Sequence, residues 1–333
     1  MFISVRRAIA DSSIKDCSRA IQAREGHRSV RKIFLKHESD SGSSSKGLFD
    51  VSITHRPEVV EYYDNTWLDY RAIWLNKKNL SMHFGYWDEG TESHSDSLLN
   101  MNRELAAFAG IQPGMRILDA GCGVGGSSLW LAENFDAVVV GITLSADQVR
   151  RAQRFAEERN LADRVTFQVA DYCDTGLDSG AFDVVWAVES CCHAQDKAAF
   201  LAESYRMLRP GGRLAIADGF RGSRKPSMDN ELLFQRLVNS WAADDLCAIA
   251  ELVELAENAG FSDVGTRDIS SNVYPSIQRL SFAATLWQPL GWMLAKLRIR
   301  PSVTYDNVVG AKLVGQAFRR HLLSYATVTA RRP

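Results

Sequence analysis

From Met115 onward the chain alternates short apolar runs with amphipathic stretches. Arg116-Ile-Leu-Asp-Ala120 reads as a buried strand that stops at a glycine cluster, and Ser127–Phe135 follows with helical spacing of Leu129, Leu131, Ala132 and Phe135. Ala137-Val-Val-Val140 is a second strand. Ser145 with Gln148 three residues on forms a capping-box pattern that opens a helix to about Arg159. Val165–Val169 and Phe182–Val188 are strands three and four. Lys197–Leu208 carries a helical stripe, and Pro210-Gly211-Gly212 turns into strand five, Arg213–Ala217. A helix over Ile249–Ala259 ends at Gly260, with strands expected at Val264–Ile269 and Leu323–Thr329. Over Met115–Asp218 the alternation predicts an α/β fold, a parallel sheet with helices on both faces.

Two segments break the rhythm. Residues 1–36 carry nine Lys/Arg against Asp11, Asp16 and Glu25, and run into the flexible-linker composition Ser39-Asp40-Ser41-Gly42-Ser43-Ser44-Ser45. Residues 1–50 are therefore expected to be a disordered basic tail or an organelle-targeting segment, outside the fold. About fifty residues, Ser270–Leu322, separate the last two strands. They keep helical periodicity and hold Trp287, Pro289, Trp292 and Pro301. The expected layout is a lid over 51–110, a cofactor-binding core over 111–269, a helical cap over 270–322 and a last strand over 323–333.

Composition narrows the function classes. The 333 residues balance 39 Lys+Arg against 40 Asp+Glu, which argues against nucleic acid as a partner. No apolar run approaches the ~20 residues of a membrane span. The six Cys show no metal-ligand spacing and no CxxC, so no metal is expected and a reducing, cytoplasmic interior is the default.

The chemistry starts at Asp119-Ala-Gly-Cys-Gly-Val-Gly-Gly126, between a strand and a helix. Glycines there let the backbone approach a ligand at the sheet's carboxyl edge. Gly121, Gly123 and Gly126 satisfy the dinucleotide spacing, so an NAD(P)-dependent oxidoreductase is one reading. Two features oppose it. Asp119 would repel a pyrophosphate and attract an ammonium group. The acid expected about 20 residues on is replaced by Gly141-Ile-Thr-Leu-Ser145.

This run resembles motif I of class I S-adenosylmethionine-dependent methyltransferases. Further marks follow in that family's order. Gly141–Ser145 resembles the second-strand end of sterol and tocopherol C-methyltransferases, Ala170-Asp171-Tyr172 the adenine-flanking motif, and Leu208-Arg-Pro-Gly-Gly212 the turn before strand five. Glu189-Ser-Cys-Cys-His193, Tyr63-Asp64 and Ser81-Met-His83-Phe-Gly-Tyr-Trp87 resemble segments of the same subgroup. The resemblance implies a Rossmann-like seven-stranded class I sheet with a helical N-terminal lid. It also implies S-adenosyl-L-methionine as cofactor.

By that resemblance Asp119 lies near the methionine ammonium, and Gly121 and Gly123 pass beneath the methionine and ribose. Thr143 and Leu144 meet ribose and adenine, with Gln148 nearby; Asp171 accepts from the adenine amino group and Tyr172 flanks the ring. Thr143 stands where the wider class has an acid, and a hydroxyl replaces one carboxylate bond but not two. Glu189 ends a very apolar strand where substrate sites gather, and His193 is the first choice for a general base. Tyr63 and His83 are the best candidates in the aromatic segment that closes over the cofactor. The expected reaction is methyl transfer to a hydrophobic small molecule, isoprenoid or terpenoid in type, with carbon the favoured acceptor. O- or N-methylation of a specialised metabolite, a prenyl-diphosphate substrate and a non-catalytic binding module remain alternatives. The apolar face of Leu286–Ala295, followed by Lys296, Arg298 and Arg300, suits a lid over a lipophilic substrate or a surface helix touching membrane.

Overall fold

The computed structural model describes residues 56–73, 79–222, 227–243 and 245–333. The expectation for residues 1–50 lies outside these.

Helix α1 (Pro57–Ile73) and α2 (His94–Ala109) precede the sheet. Then come β1 (Arg116–Ala120), α3 (Gly126–Phe135), β2 (Val138–Thr143), α4 (Ala146–Glu158), β3 (Val165–Val169) and β4 (Phe182–Val188). A single 3-10 turn (Cys191–His193) leads to α5 (Lys197–Met207), β5 (Leu208–Arg221), α6 (Met228–Ser240), α7 (Ile249–Asn258) and β6 (Ser262–Asp268). Two long helices, α8 (Ser270–Lys296) and α9 (Ser302–Arg319), separate β6 from β7 (Leu323–Arg331).

The central strands β1, β4 and β5 are buried on both faces, so the middle of the sheet is covered on both sides, whereas the edge strand β6 is polar and largely exposed. Ile117, Val139, Val184 and Trp186 pack in one cluster with α2, α3, α6, α8 and α9. Their neighbours Leu118, Ile142, Val185 and Ile216 pack in the other with α5 and α7. Successive strand residues point to opposite faces, which is why unbroken apolar runs rather than alternation mark these strands.

The strand order is β3-β2-β1-β4-β5-β7-β6. The expected seven-stranded sheet is present, and β1 to β5 pair in parallel as the alternation over Met115–Asp218 predicts. β7 runs antiparallel to both β5 and β6. It slots between them after α8 and α9, and the resulting sheet is mixed. The order reverses between β1 and β4, and the crevice outside their carboxyl ends is the place where such sheets bind ligands.

Helix ends follow local chemistry. Ser145 caps α4 by accepting from the Gln148 N–H at 3.1 Å. The capping box is only half formed: the Gln148 side chain accepts instead from the Thr143 hydroxyl at 2.5 Å. Helix α6 escaped the sequence reading, although Ser227 caps it through the Asn230 N–H.

Candidate active site

Two cavities meet at the β1/β4 crevice. The first, about 310 Å³, is walled by the glycine loop, the ends of β2 and β4, and α1. The second, about 420 Å³, lies between α1, α6, α8 and α9 and is lined mainly by apolar and aromatic side chains. Tyr63, Met82, Glu189 and His193 line both. All twelve residues singled out from the sequence fall on the first cavity, and three of them stand at the junction.

The glycine loop shapes the first cavity. Gly121 has φ +90°, and a Cβ there would come within 2.4 Å of the Ser190 Cβ. Only glycine allows that approach while holding a left-handed backbone. Asp119 is buried at the loop's root, with Oδ2 accepting from the Ser128 hydroxyl at 2.5 Å. Burial pushes its pKa up to about 7, with the Ser128 donors opposing. Among the described residues no Lys or Arg pairs with it.

Across the cavity Thr143 is already engaged. Its hydroxyl donates to Gln148 Oε1 and accepts from the Ser145 N–H at 3.3 Å. Leu144 lines the cavity between them. Asp171 Oδ1 accepts from the Cys173 N–H at 2.8 Å, and the Tyr172 hydroxyl donates to the Ser190 carbonyl at 3.0 Å. Gly123 lies against Met82, and a Cβ there would stand 3.8 Å from its sulfur.

His83 sits on the first cavity and not on the second. Its Nδ1 lies 2.8 Å from the Phe84 carbonyl, which fixes the proton there, and burial lowers its pKa to about 4. Nε2 is then a buried acceptor with no partner among the described residues. His83 is thus a neutral wall group of the first cavity, apart from the junction.

Glu189 follows β4 with φ +48°, a conformation that costs a non-glycine residue about 1 kcal/mol or more. Its Oε1 accepts from the Phe84 N–H at 2.6 Å and from the Tyr325 hydroxyl at 2.9 Å. Both bonds fall on one oxygen. Burial raises its pKa to about 8, and the nearby Asp218 adds to the rise while both donors oppose it.

His193 belongs to the 3-10 turn. Nδ1 faces the Ala242 carbonyl at 3.4 Å, so Nδ1 carries the proton, and Nε2 accepts from the Tyr63 hydroxyl at 3.0 Å. Burial holds the Tyr63 hydroxyl protonated well beyond the ordinary phenol range. Arg56, itself buried, donates to the His193 carbonyl at 2.6 Å and to the Ala242 carbonyl at 3.4 Å. It ties together the two backbone segments that orient the imidazole.

Arg56, Met82, Asp218 and Tyr325 were not anticipated. Asp218 carried a signal: it directly follows the apolar run Leu-Ala-Ile-Ala217 of β5, as Asp119 directly follows Ile117-Leu118 in β1. It lines the second cavity, accepting from the Cys192 and Gly219 N–H groups, and burial raises its pKa to about 6. Of the cysteine pair, Cys191 is core and Cys192 faces the second cavity. Arg300 also reaches that cavity, but it is bound to Asp69 at 2.7 Å.

The comparisons with known proteins agree with this geometry. A family model described as a methyltransferase domain matches residues 118–216. The chain is 31% identical over 279 residues to the probable chloroplastic tocopherol O-methyltransferase of Oryza sativa subsp. japonica, covering 79% of this chain and 75% of that protein. The chain belongs to the class I S-adenosylmethionine-dependent methyltransferases. The crystal structure of the (4+2)-cyclase SpnF matches this methyltransferase with a TM-score of 0.69 at 26% identity, over 84% of this chain and 96% of that one. Geranyl diphosphate methyltransferase in complex with GPP and sinefungin shares the fold, with a TM-score of 0.67 at 20% identity over 84% and 99%.

The methyltransferase uses S-adenosyl-L-methionine on small molecules. The first cavity fits that cofactor. A buried carboxylate lacking a described cationic partner suits an ammonium group, and the His83 Nε2 lone pair lacks a donor. With the family established, the dinucleotide reading of the glycine loop falls away.

Proposed function

We propose that this enzyme methylates a hydrophobic small molecule of isoprenoid type held in the second cavity, with carbon as the favoured acceptor. The observation that carries the proposal is the junction: one glycine-walled cavity that holds the buried Asp119 carboxylate and one apolar, ring-lined cavity share Tyr63, Met82, Glu189 and His193.

Asp119 would hold the ammonium group and the backbones of Gly121 and Gly123 the adjoining chain. Thr143, Leu144, Gln148, Asp171 and Tyr172 would hold the ribose and adenine. When bound, S-adenosylmethionine supplies a methyl group made electrophilic by its sulfonium. The protein's work is to align the acceptor, exclude water and manage protons. Phe84, Trp241, Trp287 and Tyr325 present rings to the substrate cavity, and ring faces stabilise a cationic centre. Glu189, the carboxyl at the junction, adds negative charge when ionised and is placed to receive a proton from the methylated carbon.

A second reading rests on the Tyr63–His193 pair. Its proton arrangement leaves an imidazole lone pair turned toward the junction and covered by the tyrosine hydroxyl. A substrate hydroxyl or amine proton can pass to His193 by displacing Tyr63 or through it, favouring an oxygen or nitrogen acceptor. A phosphorylated substrate is less well supported. Among the described residues lining the cavity, Arg300 and His193 are the basic ones, and Arg300 is bound to Asp69.

The rice relative is called chloroplastic, and the basic, Ser-containing residues 1–50 suit an organelle-targeting segment. No helix among the described residues is long and apolar enough to cross a membrane. Nuclear magnetic resonance of the product made with carbon-13 methyl donor tests the acceptor. A methyl shift typical of a carbon-bound group supports the first reading, and one typical of methoxy or N-methyl supports the second.

A further inference from the structure

The C-terminal half of α8 is apolar on two adjacent faces. Trp287, Gly291 and Leu294 turn to the substrate cavity. Phe282, Leu286, Leu290, Met293 and Leu297, spaced four, four, three and four residues apart, form a neighbouring stripe. These five are 68%, 65%, 40%, 44% and 60% exposed, and Ile299 just beyond is 64% exposed. A soluble surface seldom presents so continuous a run of large apolar side chains. Leu290 belongs to both faces, so the exposed stripe adjoins the wall of the substrate cavity.

Charge around the stripe is one-sided. No Asp or Glu occurs between Asp268 and Asp306, while Arg279, Lys296, Arg298 and Arg300 do. Arg279, Lys296 and Arg298 are exposed, and Lys296 lies 4.8 Å over the Trp292 ring. Apolar side chains on one stripe with bases at its borders are what an interfacial helix needs on an anionic lipid surface.

We infer that the C-terminal half of α8 docks on the surface of an anionic bilayer and places the mouth of the second cavity against it. A lipophilic substrate then passes from lipid into the enzyme without crossing water. This goes beyond the assignment of the substrate, and its test uses none.

The test is flotation of the full-length protein with vesicles of phosphatidylcholine alone or phosphatidylcholine with phosphatidylglycerol. Three forms are compared: the native chain, a Phe282→Ser/Leu286→Ser/Met293→Ser variant and a Lys296→Glu/Arg298→Glu variant. None of the five substituted residues lines either cavity. Unchanged S-adenosylhomocysteine binding therefore reports an intact fold. The native chain should float with the phosphatidylglycerol vesicles. The apolar variant should bind at least about tenfold more weakly, since the three substitutions remove much of the apolar surface that would insert. The charge variant should lose the preference for phosphatidylglycerol. Three results would overturn the inference. One is no flotation of the native chain. Another is equal flotation of native and apolar variant, which would leave the basic N-terminal segment as the lipid-binding element. The third is a native dimer in sedimentation velocity that the apolar variant dissociates, which would make a second copy the occupant of the stripe.

Discussion

The Tyr63 hydroxyl lies 3.0 Å from Nε2 of His193, joining the first described helix to the turn after β4 across 130 residues of sequence. That bond stands where the two cavities meet, and both partners reach each of them. Removing the hydroxyl while keeping the ring should separate chemistry from packing. Tyr63→Phe should retain the ring contacts with Tyr62 and Tyr70 and bind S-adenosylhomocysteine normally. Its turnover should fall roughly tenfold to a hundredfold, within the usual worth of general acid–base assistance. Steady-state kinetics beside calorimetric titration checks this, and unchanged turnover would remove the pair from the mechanism.

With Asp119 proposed to hold the ammonium group, cofactor binding should depend on pH. The Asp119 pKa of about 7 in the open cavity means that a proton must leave before the carboxylate can pair with an ammonium group. Affinity for S-adenosylhomocysteine should therefore rise as pH increases through about 7, approaching tenfold per unit on the acid side. Asp119→Asn should bind weakly and lose that slope. Titration calorimetry across the range checks both.

Glu189 gives a pH dependence to stability. Its folded pKa, about 8, lies above its ordinary value of 4.5. The folded state thus holds the proton more tightly. The resulting stabilisation is complete below the ordinary value and is lost as pH rises through about 8. Glu189→Gln keeps the shape without the titration. The melting temperature of the native enzyme should fall relative to this variant between about pH 5 and about pH 9, an effect of up to a few kcal/mol. Parallel melting curves across that range would contradict the assigned environment.

Ser276 of α8 is the buried pin that holds the 82–87 segment. Its hydroxyl oxygen accepts from the Trp87 indole N–H at 2.9 Å and the Gly85 N–H at 3.1 Å. Ser276→Ala leaves those donors without their acceptor and should cost about 1–3 kcal/mol in a denaturant titration. The wall of both cavities should loosen with it, since Met82 and Phe84 lie on the same segment.

Much of the core was legible because buried strands announce themselves as unbroken apolar runs. β1, β3 and β4 fall on Arg116–Ala120, Val165–Val169 and Phe182–Val188 as read. The glycine loop was legible because positive φ restricts residue choice. What sequence reading missed depends on distant pairing. Nothing near Arg56 signals that it would reach the carbonyls of His193 and Ala242, and nothing near Tyr325 points to Glu189. The antiparallel entry of β7 is equally silent, because an apolar strand reads the same in either direction. Thr143 shows a subtler gap: the family resemblance implies a hydroxyl facing a ribose, while the structure engages that hydroxyl with Gln148 and the Ser145 N–H.

The central claim is that a methyl group passes across the Tyr63–Glu189–His193 junction to a lipophilic small molecule. Its most direct test is incubation of the enzyme with methyl-labelled S-adenosylmethionine and a panel of isoprenoid alkenes, phenols and amines. Products are resolved by mass spectrometry, with Tyr63→Phe and His193→Ala run alongside. The account predicts one labelled, lipophilic product whose yield falls sharply in both variants. Contradiction would be a chain that binds S-adenosylhomocysteine yet labels none of the panel, or one that labels it equally well without Tyr63 and His193.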